Sequence, residues 1–376
     1  SCSPSSQALH IIEFAPCHIH KKPSKKHQIV SVSNVGSPRF LIKEIALQAG
    51  VSTATVDRVL NKRSHVRHQT RGRVLRAIDE LERLQDSLDL SGERFLIDIV
   101  MEAPDRFAQV VRMAVEAEVS SFLPTLFRPR FHLRETWSTA ELAARLKRIG
   151  HGGSKGVLLK ARDQPQIRAA IQTLRQHNVP TATLVTDIPD SGRIGYAGLD
   201  NAQAGETASY LMARFVAARS GAIVVTASHD GFRGEEQRVS SFKRALAIER
   251  PDLTVTEISG GYGRDDATRT QGFEVLRGGM EIIGVYSAGG GNTAILDAFR
   301  RMDASEPVIV GHDLDDENRE LLAQRRISAV IIHDLHQDIR HAFSAFLRFH
   351  KPKLNLEPAR FSSVQIITPA NLPVGN

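Results

Sequence analysis

Seven short runs built almost wholly of apolar and β-branched residues recur through the last three quarters of the chain, and stretches of helical period separate them. They include Phe95–Val100, Gly156–Leu159, Thr181–Val185, Ala222–Thr226, Ile282–Tyr286, Val308–Val310 and Ala329–Ile332. A strand that is apolar along its whole length is buried on both faces, so helices must cover both sides of its sheet. The amphipathic segments Ala202–Ala218 and Arg238–Glu249 supply such helices. The fold class is therefore α/β with parallel sheets, and roughly 280 residues of it exceed one sheet, which predicts two lobes.

Charge separates a head from this body. Residues 1–88 hold 14 Lys+Arg against 7 Asp+Glu, whereas residues 89–376 hold 35 of each. All the excess positive charge lies in the first quarter, the footprint of a nucleic-acid-binding head on a neutral body. Within it, residues 1–38 read as a disordered basic arm in which Lys21, Lys22, Lys25 and Lys26 alternate with Ser, Pro and His.

Residues 39–88 read as three helices. Leu41, Ile45, Ala46 and Ala49 form one apolar face ended by Gly50; Ser52 caps a second helix through Leu60; Gln69 to Leu84 forms a third, with Val74, Leu75, Ile78 and Leu81 inward. Val51, Val56 and Val59 pack the second helix inward, which turns Thr53, Ala54 and Arg58 outward. An exposed helix of this kind fits the major groove, where Arg reads guanine and Thr or Ala meets a thymine methyl. Asn61, Thr70 and Arg71 are placed for phosphates, and His65 is a further DNA-binding candidate.

The run Ile45-Ala46…Ala49-Gly50-Val51-Ser52…Thr55-Val56-Asp57-Arg58-Val59-Leu60-Asn61, followed by Ser64-His65-Val66…Thr70-Arg71…Val74, resembles the LacI/GalR family of repressors. The resemblance extends over roughly residues 40–350. It implies an N-terminal three-helix helix-turn-helix domain on a two-lobed, periplasmic-binding-protein-like effector domain. It also implies a homodimer on a pseudo-palindromic operator, with DNA affinity set by a small ligand such as a sugar, sugar acid or polyol. The division expected is a helix-turn-helix at 39–88, a hinge linker at 89–94 and a ligand-sensing domain at 95–376. Three positions depart from the family pattern: Asp57 stands where Ser is usual, Leu41 replaces the helix-opening Thr, and Arg83–Arg94 lacks the Tyr-x-Pro-Asn hinge. Leu88 and Leu90 are the candidate minor-groove wedges.

Ligands of two-lobed α/β proteins sit outside the carboxyl ends of the strands. The residues after each apolar run are rich in Asp, Arg, Asn and His, which pair with vicinal hydroxyls. Candidate ligand-binding residues are Phe107, Arg162, Asp187, Asp200, Arg238, Asn292, Asp313 and His333. For Arg238, Asn292, Asp313 and His333 the family comparison implies the role, although Thr293 replaces the Asp that usually follows Asn292 and His333 stands where Gln is common.

Other signals carry less. Gly289-x-Gly291-x-x-Ala294 mimics a dinucleotide fingerprint, but a glycine turn between strand and helix is common. His333-x-x-His336 and Cys17-His18-x-His20 lack a full metal-ligand set, and Ser228-His229-Asp230 are sequence neighbours rather than a triad. No enzyme, metal or cofactor is expected. Cys2 and Cys17, the only cysteines, precede the predicted core, which needs no disulfide. With no signal-peptide pattern and no apolar run long enough to span a bilayer, a cytoplasmic protein is expected. The alternative function is the solute-binding receptor of a sugar transporter.

Overall fold

The computed structural model describes residues 40–63, 66–90, 94–122, 125–261, 265–354, 356 and 360–373. The basic arm, His65 and residues 91–93 of the expected linker lie outside these. The chain divides into two compact units, residues 1–84 and 85–376.

In the first unit, α1 (Ile42–Ala49), α2 (Thr53–Leu60) and α3 (His68–Leu90) pack around Ile45, Ala46, Ala49, Val56, Val59, Val74 and Ala77. Two residues expected inward are not. Leu41 is 68% exposed, because it is the extended N-cap residue of α1, where its N–H donates to Glu44 at 2.9 Å. Leu75 is 49% exposed, since its neighbour Val74 takes the inward direction and one residue further turns a helix by more than a quarter. The turn between α1 and α2 depends on Gly50, whose φ of 58° is left-handed. Arg73 of α3 donates to the carbonyls of Ala49 (2.8 Å) and Gly50 (3.1 Å), satisfying the end of α1 and tying the turn to the third helix. Helix α3 runs six residues beyond the predicted end, into the expected linker; Leu88 and Leu90 are helical, and their side chains lie outside the described residues.

The second unit holds two parallel sheets. In lobe 1 the order is β2 (Leu126–Arg134), β1 (Arg94–Glu102), β3 (Gly156–Lys160), β4 (Thr181–Leu184), β5 (Gly195–Ala197). In lobe 2 it is β11 (Gln365–Ile367), β10 (Ala329–Ile332), β9 (Val308–His312), β8 (Ile282–Ser287), β6 (Ala222–Thr226), β7 (Thr254–Ile258), all parallel except β11. Lobe 1 is covered by α4 (Asp105–Val119), α5 (Thr139–Gly150), α6 (Pro165–Gln176) and α12 (Leu335–His350). Lobe 2 is covered by α7 (Asn201–Phe215), α8 (Arg233–Glu249), α9 (Asp265–Arg277), α10 (Asn292–Arg301) and α11 (Asp316–Ala323). Helix α12 follows a lobe 2 strand yet buries Ile339, Phe343 and Phe346 in the lobe 1 core. The chain therefore crosses between lobes after β5, after β10 and before β11; Leu199 and Ser362, on the first and last crossings, pair as a parallel bridge. Among the described residues no helix is long and apolar enough to cross a membrane.

The conformation of Gly50 makes a prediction. A Cβ there would lie 2.8 Å from Arg73 Nη2 and would hold an L-residue in a left-handed region disfavoured by about 1–2 kcal/mol. Gly50→Ala is expected to speed amide exchange in α1 and α2 of the full chain, and unchanged exchange would contradict this account of the turn.

Candidate functional site

The head presents one exposed polar face. Ser52 caps α2 by accepting from Thr55 N at 3.2 Å, which sets the helix so that Val56 and Val59 are buried and Thr53, Ala54 and Arg58 are exposed. Asn61 and Arg71 are exposed and Thr70 is half-buried. Asp57 does not stand alone on this face. Asn61 Nδ2 donates to its Oδ1 at 2.7 Å, and Arg63 Nη1 lies 3.2 Å from its Oδ2. The carboxylate thus fixes the C-terminal end of the helix and draws Asn61 and Arg63 together.

In the second unit the carboxyl ends of β1, β3, β4, β6, β8 and β9 open on a single cleft. Lobe 1 contributes Glu102, Arg106, Phe107, Lys160 and Thr186; lobe 2 contributes Ser228, Phe232, Glu235, Arg238, Gly289–Gly291, His312, Asp313 and Asp315. The cavity is about 60 Å³, well below the several hundred of an open ligand pocket, so the lobes are drawn closed. Contacts between the lobes cross it, among them a hydrogen bond from Gly234 N to Thr186 Oγ1 at 3.0 Å. Lys160 Nζ lies 4.2 Å from the ring centre of Phe232 while donating to the Glu102 carbonyl at 3.0 Å. Arg106 Nε lies 3.0 Å from Asp315 and 3.6 Å from Glu317. Gly290 is in a left-handed conformation beside Arg106, where a Cβ would meet Nη2 at 2.8 Å.

Burial dominates the electrostatics. It lowers the Lys160 ammonium from its ordinary value, raises the Glu235 carboxyl, and holds His312 well below the usual imidazole range, with Arg238 adding to the effect on His312. Each of these groups has a hydrogen-bond partner: Glu235 accepts from Ser228 Oγ and N at 2.7 Å, and His312 Nε2 meets the Tyr286 hydroxyl at 2.8 Å. Arg238, 2% exposed, donates from Nε to Asn201 at 2.7 Å. Two buried atoms in the cleft have no hydrogen-bond partner among the described residues: Arg238 Nη2, a donor, and Glu102 Oε1, an acceptor.

Of the eight residues expected at the ligand, the structure brings Phe107, Arg238 and Asp313 to the cleft lining. The other five do not line it. Arg162 stands behind Glu102, 3.2 Å from its Oε2, and donates to the Trp137 carbonyl at 2.7 Å. Asp187 is bound by Arg193 and accepts from Thr183 and Ile188. Asp200 caps α7 through Ala202 N and Gln203 N. Asn292 opens α10 and donates to Asn318 at 2.6 Å. His333 is bonded through Nδ1 to Asp338 and lines a neighbouring hollow. Sequence reasoning missed Glu235 and Asp315, which sit past the strand ends at the start of α8 and α11 rather than directly after an apolar run.

The chain matches two family models: bacterial regulatory proteins of the lacI family over residues 41–82, and the periplasmic binding protein domain over residues 134–345. Similar solved structures include GanP, a glucose-galactose binding protein from Geobacillus stearothermophilus, at 17% identity and TM-score 0.66, covering 75% of this chain and 100% of that one. An ABC transporter solute binding protein from Agrobacterium vitis, bound with alpha-D-tagatopyranose, aligns at 17% identity and TM-score 0.65, covering 74% and 95%. A chain from Bacteroides fragilis assigned as a LacI transcriptional regulator aligns at 13% identity and TM-score 0.62, covering 74% and 98%. At these identities the likeness is one of fold. No curated protein matches.

Asp315 links this site to pH. Burial raises its carboxyl from 3.8 to about 6, against the opposing effects of the Asn318 N–H and Arg106. Between those values the folded chain keeps a proton that the unfolded chain has lost. The associated stability is full below the unfolded value and disappears as pH rises through about 6, a change of roughly 3 kcal/mol. Asp315→Asn keeps an N-cap side chain and is expected to flatten this part of the profile. Denaturant melts between the two values check it; parallel profiles for both proteins would refute the assignment.

Proposed function

We propose, for a chain that belongs to the LacI family of bacterial regulatory proteins and whose body belongs to the periplasmic binding protein domain family, that it is a DNA-binding transcription repressor controlled by a small neutral effector rich in hydroxyls, a sugar or polyol. The head reads DNA through Thr53, Ala54 and Arg58 of α2, with Thr70 and Arg71 on phosphates. It works in the cytoplasm as a homodimer whose paired heads match the two halves of an operator.

One observation carries the effector class: Arg238 and Glu102 both line the cleft, and each keeps a buried atom, the donor Nη2 and the acceptor Oε1, without a hydrogen-bond partner among the described residues. A hydroxyl accepts from the one and donates to the other, which a phosphate or carboxylate cannot do. Leaving such groups unmatched costs about 1–3 kcal/mol each, so a ligand that satisfies both gains from the match. Phe107 and Phe232 offer apolar faces to a sugar ring. The sugar ligands named for the Geobacillus and Agrobacterium proteins agree with this class. A transporter receptor would share the cleft, but it has no use for a helix-turn-helix, which favours the regulator.

The mechanism is a population shift. An effector that binds one lobe arrangement better moves the equilibrium by its differential affinity and no more.

Two measurements test the reading. Calorimetry of neutral monosaccharides and polyols on the full chain is expected to find a ligand whose binding weakens in Arg238→Ala and Glu102→Gln by about 1–3 kcal/mol. Equal binding in both variants, or tighter binding of the corresponding sugar phosphates, would sink the effector assignment. On the operator, Arg58→Ala is expected to lose about 1–3 kcal/mol and to relax preference at one base pair. A uniform loss on all DNA sequences would make Arg58 a phosphate contact instead.

A further inference from the structure

Val185, the residue that follows β4, has a backbone conformation that valine rarely adopts. Its φ is 65°, in the left-handed region, and it is the only β-branched residue with a positive φ among the described residues. An ordinary L-residue is disfavoured there by roughly five- to thirtyfold, and branching at Cβ adds to the penalty. Thr186 N donates to Leu184 O at 2.7 Å, so the chain reverses in a three-residue γ-turn of the strained, positive-φ kind. Lobe 2 has a matching position. Asp313 follows β9 with a φ of 64°, and its N–H donates to Ile331 of β10 at 3.0 Å, as that of Val185 does to Ala197 of β5 at 2.9 Å. Aspartate visits this region readily; valine does not.

Both lobes hold the turn. From lobe 1, the Val185 side chain is buried in the core and its carbonyl accepts from the Tyr196 hydroxyl at 3.0 Å. From lobe 2, Gly234 N in the first turn of α8 donates to Thr186 Oγ1, and Asn201 Nδ2 at the start of α7 lies 3.4 Å from the Val185 carbonyl. The α8 backbone sits so close that a Cβ on Gly234 would meet the Val185 oxygen at 2.8 Å. Asn201 is in turn held by Arg238 of the cleft at 2.7 Å. The α8 contacts are made across the cleft, so they last only while the lobes are closed, and while they last they oppose rotation of the Val185 peptide.

We propose that the Val185 turn biases the unoccupied lobes toward opening: closure holds the residue left-handed, and parting the lobes frees its peptide to return to the extended region that valine prefers. Closure is then completed by whatever bridges the cleft, and the bias sets how well a molecule has to bridge it. This bias acts whatever the cleft binds.

Amide exchange of the full chain, with no ligand added, tests the bias. Asp163 N donates to Gly231 O at 2.7 Å and Gly234 N to Thr186 Oγ1, so the protection of both amides reports closure of the lobes. Val185→Gly and Val185→Ala both lose packing, but only glycine removes the penalty of the left-handed region. Followed by mass spectrometry, exchange at Asp163 and Gly234 is expected to be about fivefold or more slower in Val185→Gly than in Val185→Ala, with no such difference inside β1. Val185→Asn tolerates the conformation and fills more of the space; it is expected to slow both amides relative to Val185→Ala, and it decides the matter if the glycine variant fails to fold. Exchange at the two amides that is equal to or faster than in Val185→Ala would overturn the proposal. So would equal slowing throughout β1, since the strain would then belong to lobe 1 alone.

Discussion

Charge withdrawn from water is the condition around which the body of this protein is arranged. Six parallel strands deliver their carboxyl ends to one closed cleft, and with them Lys160, Glu235, Arg238, His312 and Asp315. A buried ion or polar ring is stable only where neighbours replace its hydration. Here the replacements come from many elements: Ser228 after β6 for Glu235, Asn201 of α7 for Arg238, Tyr286 of β8 for His312, and Arg106 of α4 for Asp315. Each such group therefore binds together segments far apart in sequence, and the geometry of the cleft is over-determined except at Arg238 Nη2 and Glu102 Oε1, which have no partner among the described residues.

That arrangement rests on a repeated topology. The order β2-β1-β3-β4-β5 in lobe 1 recurs as β7-β6-β8-β9-β10 in lobe 2. Each sheet has its switch point beside its first strand, and the strand ends around both switch points line the cleft. The exchange of α7 and α12 between lobes makes the connection triple, and the Leu199–Ser362 bridge joins two of the three strands of chain that cross. Lobes joined in this way move about a narrow set of axes rather than freely.

What the sequence disclosed follows from burial. The seven apolar runs became the seven interior strands, because a strand flanked on both sides has no face left for polar residues. The strands that escaped notice are the four edges, β2, β5, β7 and β11. In β2, Arg128, Arg130, His132 and Arg134 alternate with Phe127, Phe131 and Leu133, a pattern suited to a half-covered edge, where Pro129 is also tolerated. The same physics limited the site. Residue type and position after a strand identified Asp187 and Asp200 as candidates, but Arg193 and the first turn of α7 engage them, and those partners are visible only in three dimensions. The helix-turn-helix was more legible because its determinants are local: a left-handed Gly50, the Ser52 cap and a short apolar repeat. Arg73, which closes that turn from α3, gave no local signal.

The contact between Lys160 and Phe232 bears on how selective the cleft is. The closed state already contains an internal occupant, an ammonium lying against an aromatic face and fastened to a backbone carbonyl. An incoming molecule is thus a competitor, and its apparent affinity is its intrinsic one multiplied by the fraction of molecules in which the lysine has withdrawn. Weak or ill-fitting compounds lose that contest even when they offer plenty of hydroxyls. A side chain held in this way would set a threshold that any molecule entering the cleft has to exceed.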